Sequence, residues 1–332
     1  TRILFEGKRA TGIEFLQNGV KRSLRARHEV IVSSGAFNSA QLLLLSGIGP
    51  KDDLLKLDIP VLHDLPGVGQ NLVDHIDYVH SFRVKSRRLR GLSFAGLWDM
   101  AKAAIRYWRR RSGPLTSNFA EACAFIKTSP ELPQADIELA LTIAMFANHG
   151  RTLYSGHGLS VHACLLHPKS IGRLTLASAN PLDPPLIDPA FLTHPDDIKT
   201  LVKGFRVIQQ VMATPAFRAF NPRSVIAMPM DTDEQIEQVL RIRSDTLYHP
   251  VGTCKMGTDD MAVVDPRLKV YGVQGLRVVD ASIMPTIIGC STTAATVMIG
   301  EKASDLIAED RRGGAALRAP KDQDANLSRH LA

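Results

Sequence analysis

Polar and apolar positions alternate over residues 1–33 with the period of two that strands require. Ile3 and Phe5, then Ala10, Ile13 and Phe15, predict paired strands, with Gln17-Asn18-Gly19 as a hairpin turn. Glu29-Val30-Ile31-Val32 reads as a short buried strand. It passes through Ser33-Ser34-Gly35 into a helix over Ala40 to Leu45, which Gly47 ends and Pro50 keeps from resuming. The pattern changes character near Asp77. Phe94 to Arg111 has the spacing of a helix that is apolar on one face and basic on the other. Ile137 to Ile143, Leu159 to Leu165 and Arg173 to Leu176 alternate as half-buried strands, which predicts an antiparallel sheet with one covered face.

Further along, Pro195 opens a helix whose buried stripe is Leu201, Val202, Phe205, Ile208, Val211 and Met212. Thr232-x-x-Gln235 is a capping box for another. Leu276 and Val278 form a short buried strand that stops at Asp280. Ser291, Thr292 or Thr293 then caps a last helix through Leu306 and Ile307, rich in small and apolar residues and largely buried. After Asp310 the composition turns polar, and 313–332 reads as a disordered tail. The fold class is α/β in the broad, α+β sense. A core of parallel strands and helices is joined to an antiparallel sheet flanked by helices.

Composition narrows this only a little. The chain has 332 residues, 45% hydrophobic and 22% charged, which suits a globular protein of about two domains. No apolar run approaches the length of a membrane span. The four cysteines, Cys123, Cys164, Cys254 and Cys290, lie far apart, so neither a disulfide framework nor a zinc site is expected, and a reducing compartment follows. The net charge of +7 is partly concentrated in Arg87-Arg88-Leu89-Arg90 and in Arg106 to Arg111. Such patches can meet nucleic acid or anionic lipid. With no nucleic-acid module beside them, they read as a solvated helix face and a basic loop. A cytoplasmic location, with peripheral membrane association open, is the expectation.

Candidate chemistry gathers late in the chain. Pro250 pushes Tyr248-His249 toward extended geometry and Gly252 allows a tight turn, so His249 can present its ring to a pocket. An imidazole there suits proton transfer near neutral pH. Asp280 ends a strand where open α/β sheets bind ligands, or caps the turn that follows. The last helix starts without charge, so its N–H groups are open to an anion or a polarised carbonyl. Strand, Gly35 turn and helix is a second place where backbone can approach a nucleotide. His149, His157, His162 and His167 fall close together, yet their spacing fits no metal-ligand pattern.

Three runs share one order with a known family. They are His249-Pro-Val-Gly-Thr-Cys-Lys-Met-Gly257, Leu276-Arg-Val-Val-Asp-Ala-Ser-Ile-Met-Pro285 and the helix containing Met298-Ile-Gly-Glu-Lys-Ala303. They resemble the C-terminal signature of the glucose-methanol-choline flavin oxidoreductases, which oxidise alcohols with FAD. The Gly35 turn ending in Leu45-Ser-Gly-Ile-Gly-Pro50 resembles that family's second signature, with Ala40 where proline is usual. Leu65 to His75 also looks like a family segment that passes near the cofactor, with a structural hydrogen bond expected of His75.

The resemblance implies a catalytic base at His249. It implies a second polar group at Ser291 or Thr293, where the family has histidine or asparagine. Gly35, Asp280, Ala281 and Thr292 are the implied FAD contacts. It also implies domains of 1–76 and 262–312 for the cofactor, interrupted by a substrate domain over 77–261. The partner would be a small-molecule alcohol, with the electron acceptor and the oligomeric state open. The family's Gly-x-Gly-x-x-Gly nucleotide fingerprint is absent, and the sequence lacks an initiator methionine, so the expectation is a portion of a longer enzyme. A non-catalytic fragment, a basic binding module and a flavin-dependent lyase remain as alternatives.

Overall fold

Asn18 and Gly19 both sit at positive φ, 53° and 77°, the geometry that matches a two-residue turn to the twist of its strands. In this computed structural model, which describes residues 1–312 apart from 87, 88, 90, 148 and 149, that turn joins β2 (Arg9–Gln17) to β3 (Val20–Arg25). With β1 (Arg2–Glu6) they form a three-stranded antiparallel sheet. The tail over 313–332, His149 and most of the first arginine cluster lie outside the described residues.

β4 (Val30–Val32) pairs in parallel with β9 (Leu276–Val278), although 246 positions separate their starts, with Val30 against Leu276 and Val32 against Val278. Both strands end at one edge of this pair. There β4 turns through Gly35, at φ 83°, into α1 (Gly35–Leu45), and β9 stops beside Asp280. The sequence reading starts this helix near Ala40. It starts five residues earlier because Asp280, far along the chain, accepts the Gly35 N–H at 3.0 Å and the Ser39 hydroxyl at 2.5 Å. A helix start held by so distant a carboxylate leaves no local signal.

The second sheet has seven strands, all antiparallel. Its path runs from Arg223–Ser224 through β5 (Ile76–Val84), β8 (Gly156–Leu165) and β7 (Ile137–Thr142) to β6 (Ala120–Ile126). The register sets Ile76 opposite Leu165 and Val84 opposite His157. β5 and β6 are strands that the alternation did not predict. β5 is buried on both faces, so its polar residues Asp77, His80 and Ser81 face neighbours instead of water and blur the period. Arg173–Thr175 belongs elsewhere: it pairs with Leu186–Asp188, and Leu174 joins the core of the parallel pair.

The helices follow their stripes with one exception. Ile198, Leu201, Phe205 and Ile208 of α3 (Pro195–Met212) are buried under the antiparallel sheet, each contributing about 1.5–3 kcal/mol. The capping box opens α4 (Asp233–Arg243) as read, with Thr232 and Gln235 reciprocally bonded. α5 (Thr293–Arg311) buries Ile299, Ala303 and Leu306 but leaves Val297 and Met298 more than half exposed, so it is less covered than its composition suggests. The exception is α2 (Phe94–Arg110), whose apolar face points away from the protein.

Two apolar cores result. One is built from residues of 3–73 and 251–306 with Leu174 and Leu176, the other from residues of 76–240. The four cysteines form no disulfide, with Cys164 and Cys254 buried.

Candidate active site

The segment after His249 stitches the parts together. Val251 bridges Val73 in antiparallel fashion, and the Gly69 N–H donates to Thr253 O at 2.8 Å. The Thr253 hydroxyl donates to Ala36 O at the start of α1. The N–H groups of Cys254 and Met256 donate to Ser282 O and Ile283 O, at 2.9 and 2.8 Å. The Gly35 turn, the Asp280 turn and the His249 run are therefore one structural unit. Gly252 is required there: its φ is 93°, and an added Cβ would lie 2.2 Å from Asn71 O. Tyr248, at φ 64°, makes the sharp entry that Pro250 then fixes as extended.

His249 is half-buried and held from two sides. Its N–H donates to Asp74 Oδ1 at 2.9 Å, and the other oxygen of Asp74 accepts from the Thr246 hydroxyl. Its ring meets His75 edge to face, with Nδ1 to Nδ1 at 3.0 Å. His75 is buried, and its Nε2 lies 3.1 Å from both Leu166 O and Ile288 O. Carbonyl oxygens only accept, so His75 Nε2 carries the proton. Neutral His75 then presents an unprotonated Nδ1, and His249 must donate its own Nδ1–H to it. Among the described residues, nothing bonds His249 Nε2, and its lone pair is left open.

The electrostatics keep both rings neutral near pH 7. Burial, then the charge of His249, lowers the His75 pKa to about 4. Burial also lowers that of His249, against a weaker pull upward from Glu138 and Asp77. Burial raises the Asp74 carboxyl to about 6, partly offset by its hydrogen bonds. The sequence reading gave His75 a structural hydrogen bond and kept it out of the catalytic set. The bond exists, and its partner is the candidate base itself. Asp74 was missed, and the Asp-His dipeptide was the only local signal for it.

Asp280 sits at the end of β9 with its carboxylate occupied. Oδ2 accepts from Gly35 N and Ser39 Oγ, and Oδ1 accepts from Ser282 N at 2.8 Å. Of the two roles read from the sequence, the turn cap is present. The Ala281 N–H has no acceptor among the described residues. Thr292 is buried at the head of α5, yet its side chain makes no capping bond and the first turn holds no acid, so no side chain among the described residues pairs the opening N–H groups of α5. Ser291 and Thr293 are exposed and lie 3.3 Å apart through their hydroxyls. No hydrogen bond among the described residues joins either to His249. The loop before them is close: Ile288 O touches His75, and Gly289 packs so near His167 that an added Cβ would lie 2.7 Å from the ring.

Two histidines of the sequence cluster have their own partners: His157 bonds Ser93 and Leu89 O, and His162 Nδ1 lies 2.6 Å from Asp77.

Two family models described as GMC oxidoreductase match the chain, over residues 1–77 and 168–300. The chain belongs to the GMC oxidoreductase family. It is 41% identical over 310 residues to an alcohol dehydrogenase (acceptor) of Pseudomonas putida, covering 92% of this chain and 56% of that protein. It is 38% identical to human mitochondrial choline dehydrogenase, covering 92% of this chain and 52% of that one. In shape it is similar to the formate oxidase of Aspergillus oryzae, solved in work on FAD modification, with a TM-score of 0.86 and 29% identity over 95% of this chain and 60% of that one. The chain spans a little over half the length of the curated relatives it matches. Among the described residues, no helix is long and apolar enough to cross a membrane.

Proposed function

We propose that this chain carries the catalytic base and part of the flavin site of an FAD-dependent oxidoreductase that oxidises a CH–OH group. The observation that supports this most is the open Nε2 lone pair of His249, fixed by the His75 bond and the two carbonyls behind it. A neutral imidazole with one nitrogen tethered and the other free is arranged to accept a proton. His249 Nε2 takes the hydroxyl proton of the alcohol. Hydrogen-bonded through Nδ1, the ring then carries the positive charge beside the developing alkoxide and stabilises it. His75 acts through His249 as a positioning residue, and Asp74 fixes the His249 backbone. Ser291 and Thr293 hydroxyls, one loop away, are offered as donors to the substrate oxygen.

The structure's unpaired groups fit the cofactor that the family implies. The Ala281 N–H and the first turn of α5, with Thr292 and the open Gly35 turn, would hold it, and Asp280 would hold that turn in shape. FAD, when bound, supplies the two-electron acceptor that receives the carbinol hydride. The positive end of α5 favours negative charge placed there. The division into a cofactor part, 1–76 with 262–312, and a substrate part, 77–261, belongs to this reading.

A second reading has its own support. Parallel strands are normally covered on both faces. Here Ile31 of β4 is 44% exposed, beside a groove of about 630 Å³ lined by Val279, Ala303 and Ile307 among others. That open face suits further structure that completes the flavin site, without which this chain would be a non-catalytic portion.

One experiment addresses both. The purified protein is incubated with excess FAD, desalted, and its visible spectrum followed while alcohols are added without oxygen. A retained flavin band that bleaches with an alcohol, and does not bleach in His249→Ala, supports the enzyme reading. A retained band that bleaches equally in His249→Ala refutes the role of His249. No retained band supports the second reading.

A further inference from the structure

At helical spacing, Phe94, Leu97, Trp98, Ala101, Ile105 and Trp108 occupy one face of α2. That face is turned outward: Phe94 is 92% exposed, Leu97 64%, Trp98 63%, Ile105 56% and Trp108 75%. The buried residues of the helix are Gly96 and Ala103. Small residues thus form the inner face and large apolar ones the outer face, the reverse of an ordinary surface helix. The orientation is anchored. The Ser93 hydroxyl accepts the Gly96 N–H at 3.0 Å and bonds His157 Nε2 at 2.9 Å. An added Cβ at Gly96 would lie 2.0 Å from Gly91 O, and one at Gly91 would lie 1.9 Å from Gly156 O. Only glycine allows the helix to sit so close to the sheet, and this packing holds the apolar face toward solvent.

Lys102, Arg106, Arg109, Arg110 and Arg111 accompany this stripe, against a single acid, Asp99. Lys102 and Asp99 meet loosely, at 3.9 Å, so the other cations are not neutralised within the helix. We propose that α2 docks this protein onto an anionic lipid surface, with its Trp and Leu side chains in the headgroup–acyl boundary and its arginines on lipid phosphates. The charge pattern selects this occupant. A second copy on the same face would add five more cations and only one more acid, so it offers no complement to this charge. A bilayer offers both the apolar depth and the negative charge. The proposal uses none of the residues of the His249 site, so neither stands or falls with the other.

The chain has two tryptophans, Trp98 and Trp108, and both lie on this face, so its tryptophan fluorescence reports on α2 alone. The whole chain is titrated with vesicles of equimolar phosphatidylglycerol and phosphatidylcholine, or of phosphatidylcholine alone, and each mixture is also sedimented. The expected result is a blue-shifted emission and co-sedimentation with the anionic vesicles, weakening as salt rises. Leu97→Glu with Ile105→Glu, both exposed positions that keep the tryptophans, should abolish the shift. Arg109→Glu with Arg110→Glu should lower partitioning at least about tenfold. Absence of partitioning overturns the proposal. So does equal binding to neutral vesicles that the arginine changes leave untouched. A blue shift that appears without lipid, growing with protein concentration as the mass doubles, overturns it in favour of a self-associating face.

Discussion

Two polar corners of the molecule, His75–His249 and Gly35–Asp280, lie on the same stitched segment and differ in one respect. At Asp280 the carboxylate is met by three donors, two from the start of α1 and one from its own turn. At the histidine pair, hydrogen bonds account for one histidine fully and for only half of the other. A group whose partners are complete holds structure, and a group with one open valence can do chemistry. The type of residue does not separate the two cases. Both an acid at a strand end and a histidine before a proline are plausible catalysts by sequence, and only their partners tell them apart.

The difference can be tested by substitution. In FAD-loaded protein that turns over an alcohol, His249→Ala should lower kcat about 10²–10⁴-fold while urea midpoints and the flavin band stay near the parent's. A comparable loss of stability would place His249 in the structural class. Asp280→Ala should do the reverse, with a loss of about 3–4 kcal/mol in unfolding free energy as the Gly35, Ser39 and Ser282 donors lose their acceptor. An unchanged melting curve would show that the corner is not closed as described.

His75 gives a pH signature. Its folded-state pKa is about 4 against an ordinary 6.5, so the unfolded chain takes up the proton first. Stability that His75 does not cost above pH 6.5 is lost as pH falls toward 4, by about 3 kcal/mol from this group. In His75→Gln that part of the loss disappears. The gap between variant and parent should therefore narrow from pH 6.5 to 4 in chemical unfolding, and a constant gap would mean that His75 is not buried neutral. The smallest effect is expected at Thr253→Val, which removes the hydroxyl bonded to Ala36 O. It should cost about 1 kcal/mol, with kcat little changed, read from thermal melts and steady-state rates.

Much of this was legible in the sequence where the signal is local. The Asn18-Gly19 hairpin and the Thr232–Gln235 capping box depend on neighbours in the chain, and each appears where it was read; the strand–turn–helix at Gly35 is present with an earlier helix start. What escaped depends on contacts far apart. The early start of α1 needs Asp280, and β5 hides its period because both of its faces are buried. Arg277 is another case: between Leu276 and Val278 it is 2% exposed, satisfied by Glu29 at 2.7 Å and by Asp310 at the end of α5. The apolar pattern of α2 was visible, but its direction was not, since periodicity gives a face without saying which way it points. For the candidate site, motif resemblance located His249. The tethering of its Nδ1 came from His75, Leu166 and Ile288, three residues that no local pattern groups together.

The decisive measurement is the protonation state of the two rings, by long-range proton–nitrogen correlation on protein with nitrogen-labelled histidine near pH 7. The expected spectrum has a pyrrole-type Nδ1 and a pyridine-type Nε2 for His249, with the opposite tautomer for His75, assigned through loss of the corresponding peaks in His249→Ala and His75→Gln. A pyrrole-type Nε2 on neutral His249, or an imidazolium there at pH 7, would leave no lone pair to accept the substrate proton and would contradict its assignment as the base.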